Sequence, residues 1–141
     1  MLQLIRMRME RLQNRGYSAL LLRLGLGAVF VLLGYNKLPH PENWLVYITP
    51  QISHLFPCSP YEFLKFQGIA EFLLGCALMI GFVTRACASL AAVILALIIF
   101  FVWPDFGAVR DIGLLSISLS LIISGGGCWS MDEFIKKESP P

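Results

Sequence analysis

Charge is scarce in this sequence. Only 14% of its 141 residues are Asp, Glu, Lys or Arg, while 57% are hydrophobic. A soluble domain carries about 25% charged and about 45–50% apolar residues. One small core cannot hide all of that apolar excess, so a membrane protein is the first reading, and one domain is enough for the length. A net charge of +2 is too small to point to nucleic acid, and none is expected as a partner. Paired cysteines are also missing. Cys58, Cys76, Cys87 and Cys128 form no C-x-x-C and match no zinc or dithiol spacing. They read as small residues tolerant of apolar surroundings. His54 and Cys58 stand four apart, but Pro57 intervenes and no third ligand is near, so no metal site is expected. There is no nucleotide loop and no catalytic triad.

Cations are absent from one whole region. No Lys or Arg lies between Pro39 and Ser59. Arg6, Arg8, Arg11 and Arg15 precede that region, Arg85 follows, and Lys136 and Lys137 stand near the end. By the positive-inside rule both termini are cytoplasmic and the loop 39–59 is outside.

What is present is four apolar segments, 19–38, 60–83, 86–103 and 107–124, the third without any charge. A hydrocarbon core of about 30 Å takes roughly 17–25 helical residues. The expected fold is therefore all-α, a four-transmembrane-helix bundle over 19–126 with an amphipathic outer loop between helices 1 and 2. The breaks fit. Ser59-Pro60-Tyr61-Glu62 has an N-cap Ser, a Pro at the first helical position and a Glu three after the cap. Trp103-Pro104-Asp105 stops the third segment, and Gly125-Gly126-Gly127 the fourth. Residues 1–18 are basic and place Leu2, Ile5, Met9 and Leu12 on one helical face, either as an interfacial helix or as a frayed tail. They show no signal-peptide cleavage site. Residues 127–141 are a cytoplasmic tail. In the outer loop Trp44, Tyr47, Ile48, Ile52, Leu55 and Phe56 are either a lid or an interfacial anchor.

The remaining polar groups fall in patterns. Arg23, Gly27, Phe30, Gly34 and Lys37 are spaced four, three, four and three, which puts them on one helical face. In the second segment Gly68, Glu71, Gly75 and Phe82 form a stripe of opposite charge. Glycines let helices approach closely, so these two faces are expected to meet. Glu71 lies about 8 Å inside the outer boundary at about 1.5 Å per residue. Lys37, Arg110 and Asp111 start near the same level, with Asn36, Tyr35 and Gln67 beside them. A polar cluster around Glu71 in the outer leaflet is expected, either as a structural ion pair or as a ligand or proton site. Lys37 either joins it or snorkels. Arg23 sits near the cytoplasmic boundary, where snorkelling is the simpler reading. Ser116, Ser120 and Ser124 read as a packing face of the fourth helix.

The stretches RLGLGAVFVLLGYNKL, GIAEFLLGCALMIGFVTRACA, VRDIGLLSISLSL and GGGCWSMDEF, in this order, resemble the DoxX family of small bacterial and archaeal membrane proteins. The resemblance covers nearly all of the chain beyond Gly16. It implies a multi-pass, four-helix protein of the cytoplasmic (inner) membrane. The family is named after a subunit of a thiosulfate:quinone oxidoreductase, and relatives are linked to redox and thiol-stress systems. It points to Arg23, Gly34, Lys37, Glu71, Arg110 and Asp111 as site candidates. Direct disulfide chemistry is disfavoured by the missing cysteine pair. The expected function is a redox-associated membrane subunit that binds a quinone or similar lipophile in a polar pocket near the outer leaflet. It holds no intrinsic cofactor and relies on a redox partner protein. A non-catalytic assembly or scaffold protein is the alternative, and a small transporter, which would need a homo-oligomer, is a third.

Overall fold

The structure is a computed structural model and describes residues 2–48, 58–102 and 106–138. These residues are all-helical, without strands. α1 runs over Leu2–Lys37, followed by a 3-10 helix over Pro41–Tyr47. Then come α2 (Pro60–Ile80), α3 (Thr84–Val102), α4 (Phe106–Ser124) and a short α5 (Met131–Glu138). Trp103-Pro104-Asp105, His54 and the loop residues Ile52, Leu55 and Phe56 lie outside the described residues.

Among the described residues three segments are long and apolar enough to cross a membrane: Gly16–Lys37 with 22 residues, Pro60–Ile80 with 21 and Thr84–Val102 with 19. At about 1.5 Å per residue they measure roughly 28–33 Å, the thickness of the hydrocarbon core. Their outward faces carry Leu21, Leu32, Phe66, Leu73 and Phe100, all exposed. In water such a surface is unfavourable; in a bilayer it meets acyl chains. This is a membrane protein. α4 matches α3 in length but has Arg110 and Asp111 in its second turn. α1 is continuous through residue 18, with no break between the basic stretch and the span.

The helix starts follow local chemistry. Ser59 accepts from the Glu62 backbone N–H at 3.3 Å, and the Glu62 carboxylate accepts from the Ser59 N–H at 3.2 Å. This reciprocal capping box begins α2 where the sequence places it. Ser59→Ala should lower the melting temperature modestly, by the equivalent of about 1 kcal/mol, in a thermal melt of the detergent-solubilised protein.

α2 ends at Gly81, whose N–H donates to the Ala77 and Leu78 carbonyls and whose φ of 76° lets the next N–H, of Phe82, reach back to Ala77 as well. The chain turns at once into α3, so α2 and α3 are antiparallel. α1 packs along α2, with Gly27 against Gly75 and Gly34 against Gly68, which makes that pair antiparallel too. α3 packs along α4, and α1 also touches α4. The bundle is thus two close helix pairs. Between them lies a core that includes Leu26, Phe30, Leu74, Leu78, Ala91, Leu95 and Leu121.

Two sequence expectations about packing need correction. The glycine stripe of α2 continues to Met79, which sits over Gly27, and not to Phe82, which lies beyond the helix and is exposed. On α4 the buried serine is Ser118, while Ser116, Ser120 and Ser124 face outward. The Ser116 and Ser124 hydroxyls donate to the carbonyls four residues earlier, at 3.0 and 2.8 Å, so neither needs a neighbouring helix.

Candidate functional site

The polar groups separate to opposite ends of the bundle. At one end Lys37, on the last turn of α1, meets Glu71 from α2. The Lys37 Nζ donates to both carboxylate oxygens at 2.7 Å. Lys37 is 4% exposed and Glu71 2%, so the pair is desolvated. The close approach of α1 and α2 through glycine sets this geometry: the Lys37 Cβ lies against Gly68, one turn before Glu71. Gln67 lies one turn earlier on the same face and donates its amide to Glu71 Oε1 at 3.1 Å. Its carbonyl oxygen remains as an acceptor. Lys37 also sits 4.8 Å from the centre of the Trp44 ring, a cation–π contact from the 3-10 helix.

Arg110 and Asp111 reach the same end from α4. The Arg110 Nε and a terminal nitrogen both lie 2.9 Å from one Asp111 oxygen. Asp111 is buried, while the Arg110 side chain is half exposed. Of the two alternatives for Lys37, the structure shows the cluster: its charge is inside and it does not snorkel. Glu71 pairs with Lys37 rather than with Arg110. Asn36 does not join them. One residue before Lys37, it is turned about 100° around the helix. It is exposed and accepts from Trp44 Nε1 at 3.2 Å, so it anchors the 3-10 helix instead.

These groups line a cleft of about 910 Å³. Its walls are mostly apolar: Phe30 and Leu33 from α1, Phe63, Phe66 and Ala70 from α2, Ile94, Leu97, Ile98 and Phe101 from α3. Lys37, Gln67, Glu71, Arg110 and Asp111 supply its polar patch, and Trp44, Tyr47 and Ile48 of the 3-10 helix border it. A large apolar cleft with a few convergent polar groups is the usual form of a small-molecule site. Outside the spans, the Glu42 carboxyl is held below the usual range, first by a backbone hydrogen bond and then by the His40 ring at 3.2 Å. Among the described residues no cluster of His, Cys, Asp and Glu has the makings of a metal site.

Arg23 lies at the other end and is not part of this cluster. It is 1% exposed, so it does not snorkel. Its guanidinium donates to the Gly126 carbonyl at 3.2 Å and the Trp129 carbonyl at 3.0 Å. Gly125 and Gly127 take φ of 78° and 69°, and Trp129 takes 60°, a winding course that turns these carbonyls inward. The segment beyond α4 is therefore docked, not a loose tail. Asp132 accepts from the Val83 and Thr84 N–H groups at 2.7 and 2.8 Å, capping α3. The Cys128 N–H reaches the Gly16 carbonyl at 3.3 Å. Sequence reasoning missed Asp132, because nothing local links it to a helix start 48 residues earlier.

The sequence profile of the DoxX family matches residues 18–104. The chain belongs to the DoxX family. The match takes in α1 from Ser18, the 3-10 helix, α2 and α3, and so includes Lys37, Gln67, Glu71 and Arg23. α4, with Arg110 and Asp111, lies beyond the matched DoxX residues. No curated protein and no solved structure shows significant similarity to the chain.

Proposed function

We propose that this DoxX protein binds a quinone-like amphiphile in the cleft, with the ring against Lys37, Gln67 and Glu71, as the membrane subunit of a quinone-linked redox system. The observation that carries this reading is the buried Lys37–Glu71 pair at the polar end of an otherwise apolar cleft of about 910 Å³. A ring carbonyl accepts from Lys37 or Arg110, and a ring hydroxyl donates to Gln67 or Asp111. One polar patch thus offers donors to the oxidised form and acceptors to the reduced form. The electrons come from a partner protein.

In this reading α4 is a fourth span, the protein is a multi-pass component of a bacterial or archaeal cytoplasmic membrane, and both termini are cytoplasmic. Lys and Arg placement supports that orientation, and it puts the cleft in the outer leaflet. An impermeant maleimide should label Cys58 on intact cells, and Cys128 only after permeabilisation, in single-cysteine variants. The reverse pattern would invert the protein. Solvent extraction of the protein purified in mild detergent should release a quinone at near-stoichiometric amounts by mass spectrometry. Lys37→Met should lose it. A folded wild-type protein that yields no lipophile would sink the ligand reading and favour a scaffold with a purely structural ion pair.

A further inference from the structure

Two properties of the cleft narrow what it takes and by which route, resting on the reading that it is a ligand site. The first is where it opens. Trp44, Tyr47 and Ile48 border the end next to the 3-10 helix. On the flank, α2 and α3 are joined through the Gly81 turn and pack far less extensively than α1 with α2 or α3 with α4. Phe66 is 73% exposed and Leu97 51%, yet both line the cleft, and exposed Ala70 does the same. A side chain that borders a cavity and the outer surface at once marks its rim. This rim is apolar and belongs to two spanning helices, so hydrocarbon lies beyond it.

The second property is charge balance. Lys37 already faces Glu71, and Arg110 already faces Asp111. Glu62, the remaining charged residue of the wall, is engaged in the capping box. An anionic head would bring a third negative charge to two cations that each already face one, with no cation left to balance it. An uncharged head that hydrogen-bonds leaves both pairs intact and avoids stranding a buried charge.

We infer that the cleft takes an amphiphile with an uncharged, hydrogen-bonding head and an apolar chain, admitted sideways from the bilayer between α2 and α3. The head rests against Gln67 and the Lys37–Glu71 pair. The chain leaves across Phe66, Ala70 and Leu97. Anionic lipids are rejected by the charge balance.

The test uses the full chain in phosphatidylcholine nanodiscs with tritiated decyl-benzoquinone as the probe. The probe should bind saturably. Excess hexadecanol, an uncharged chain alcohol, should compete with it, and excess palmitate should not. Ala70→Phe and Leu97→Trp narrow the rim without touching either ion pair, and each should slow association about tenfold. A spin label at Ile94→Cys, inside the cleft, should be relaxed by oxygen dissolved in the acyl chains more than by a water-soluble nickel chelate. Equal competition by palmitate would overturn the uncharged head. Unchanged association in both rim variants, or dominant relaxation by the nickel chelate, would overturn the lateral route even with the probe bound. Absence of saturable probe binding, with oxygen still dominating the label, would instead show that the ligand reading had failed while the opening stood.

Discussion

Glu71→Gln should lower the melting temperature of the detergent-solubilised protein by about 10 °C, the equivalent of roughly 3 kcal/mol for a chain of this size. The reason is positional. Lys37 is 4% exposed and its ammonium has both Glu71 oxygens at 2.7 Å. Neutralising Glu71 leaves a cation in a desolvated setting with only the Trp44 ring and an amide to face. Adding Lys37→Met removes the stranded charge and should restore most of the lost stability. Differential scanning fluorimetry on the two variants decides the structural half of the question. Bound quinone, counted on the same samples, decides the other half. Stability restored without quinone means the pair also serves the ligand. Stability and quinone both restored would make Glu71 a structural residue alone. An unchanged melt in Glu71→Gln would contradict the pairing itself.

Gly34→Leu should be more damaging still. A Cβ at position 34 would lie 2.5 Å from the Gly68 carbonyl oxygen and 2.5 Å from the Phe72 nitrogen. Both are backbone atoms of a helix, so neither can swing aside. Relief requires α1 and α2 to separate along the line that also holds Gly27 to Gly75, which would break the Lys37–Glu71 bonds. Overpacking typically costs about 1–3 kcal/mol where side chains can adjust, so a larger loss and poor recovery of folded protein are expected. Gly25 is the control. A Cβ there meets nothing within 4 Å, so Gly25→Ala should be neutral or stabilising by up to about 1 kcal/mol from helix propensity. Size-exclusion profiles and melts of the two variants should diverge. Equal behaviour would mean that α1 and α2 do not meet through Gly34.

Where sequence reasoning worked, the deciding chemistry was local or periodic. Ser59 and Glu62 are three residues apart, and their mutual bonds need no tertiary contact. The glycines of α1 and α2 recur at helical spacing, so one face could be read from each helix and the two matched. Depth along the helices brought Lys37, Glu71, Arg110 and Asp111 to one end. Depth alone did not assign partners, because Arg110 and Lys37 begin at similar levels. Rotation decided it, as it did for Asn36, adjacent to Lys37 in sequence but aimed outward at Trp44. The burial of Arg23 is illegible in the sequence for a different reason. Its acceptors are backbone carbonyls, which every residue has, so no residue type announces them. The serines of α4 were misread because a hydroxyl can satisfy itself on its own helix.

Arg23 and the carbonyls that hold it are 103 and 106 residues apart. A ribosome adds about 5–20 residues per second, so the guanidinium exists for roughly 5–20 s before its acceptors are made. During that time the first span carries a cation two turns in from Gly16, where insertion costs less than the roughly 2.5–3.5 kcal/mol of a mid-helix position on translocon scales. Until its acceptors follow, the long Arg23 side chain is better served by water and headgroups at the interface. It settles only when Gly126 and Trp129 emerge. A chain that stops short of Gly126 leaves this guanidinium without the two backbone acceptors that stand in for its water.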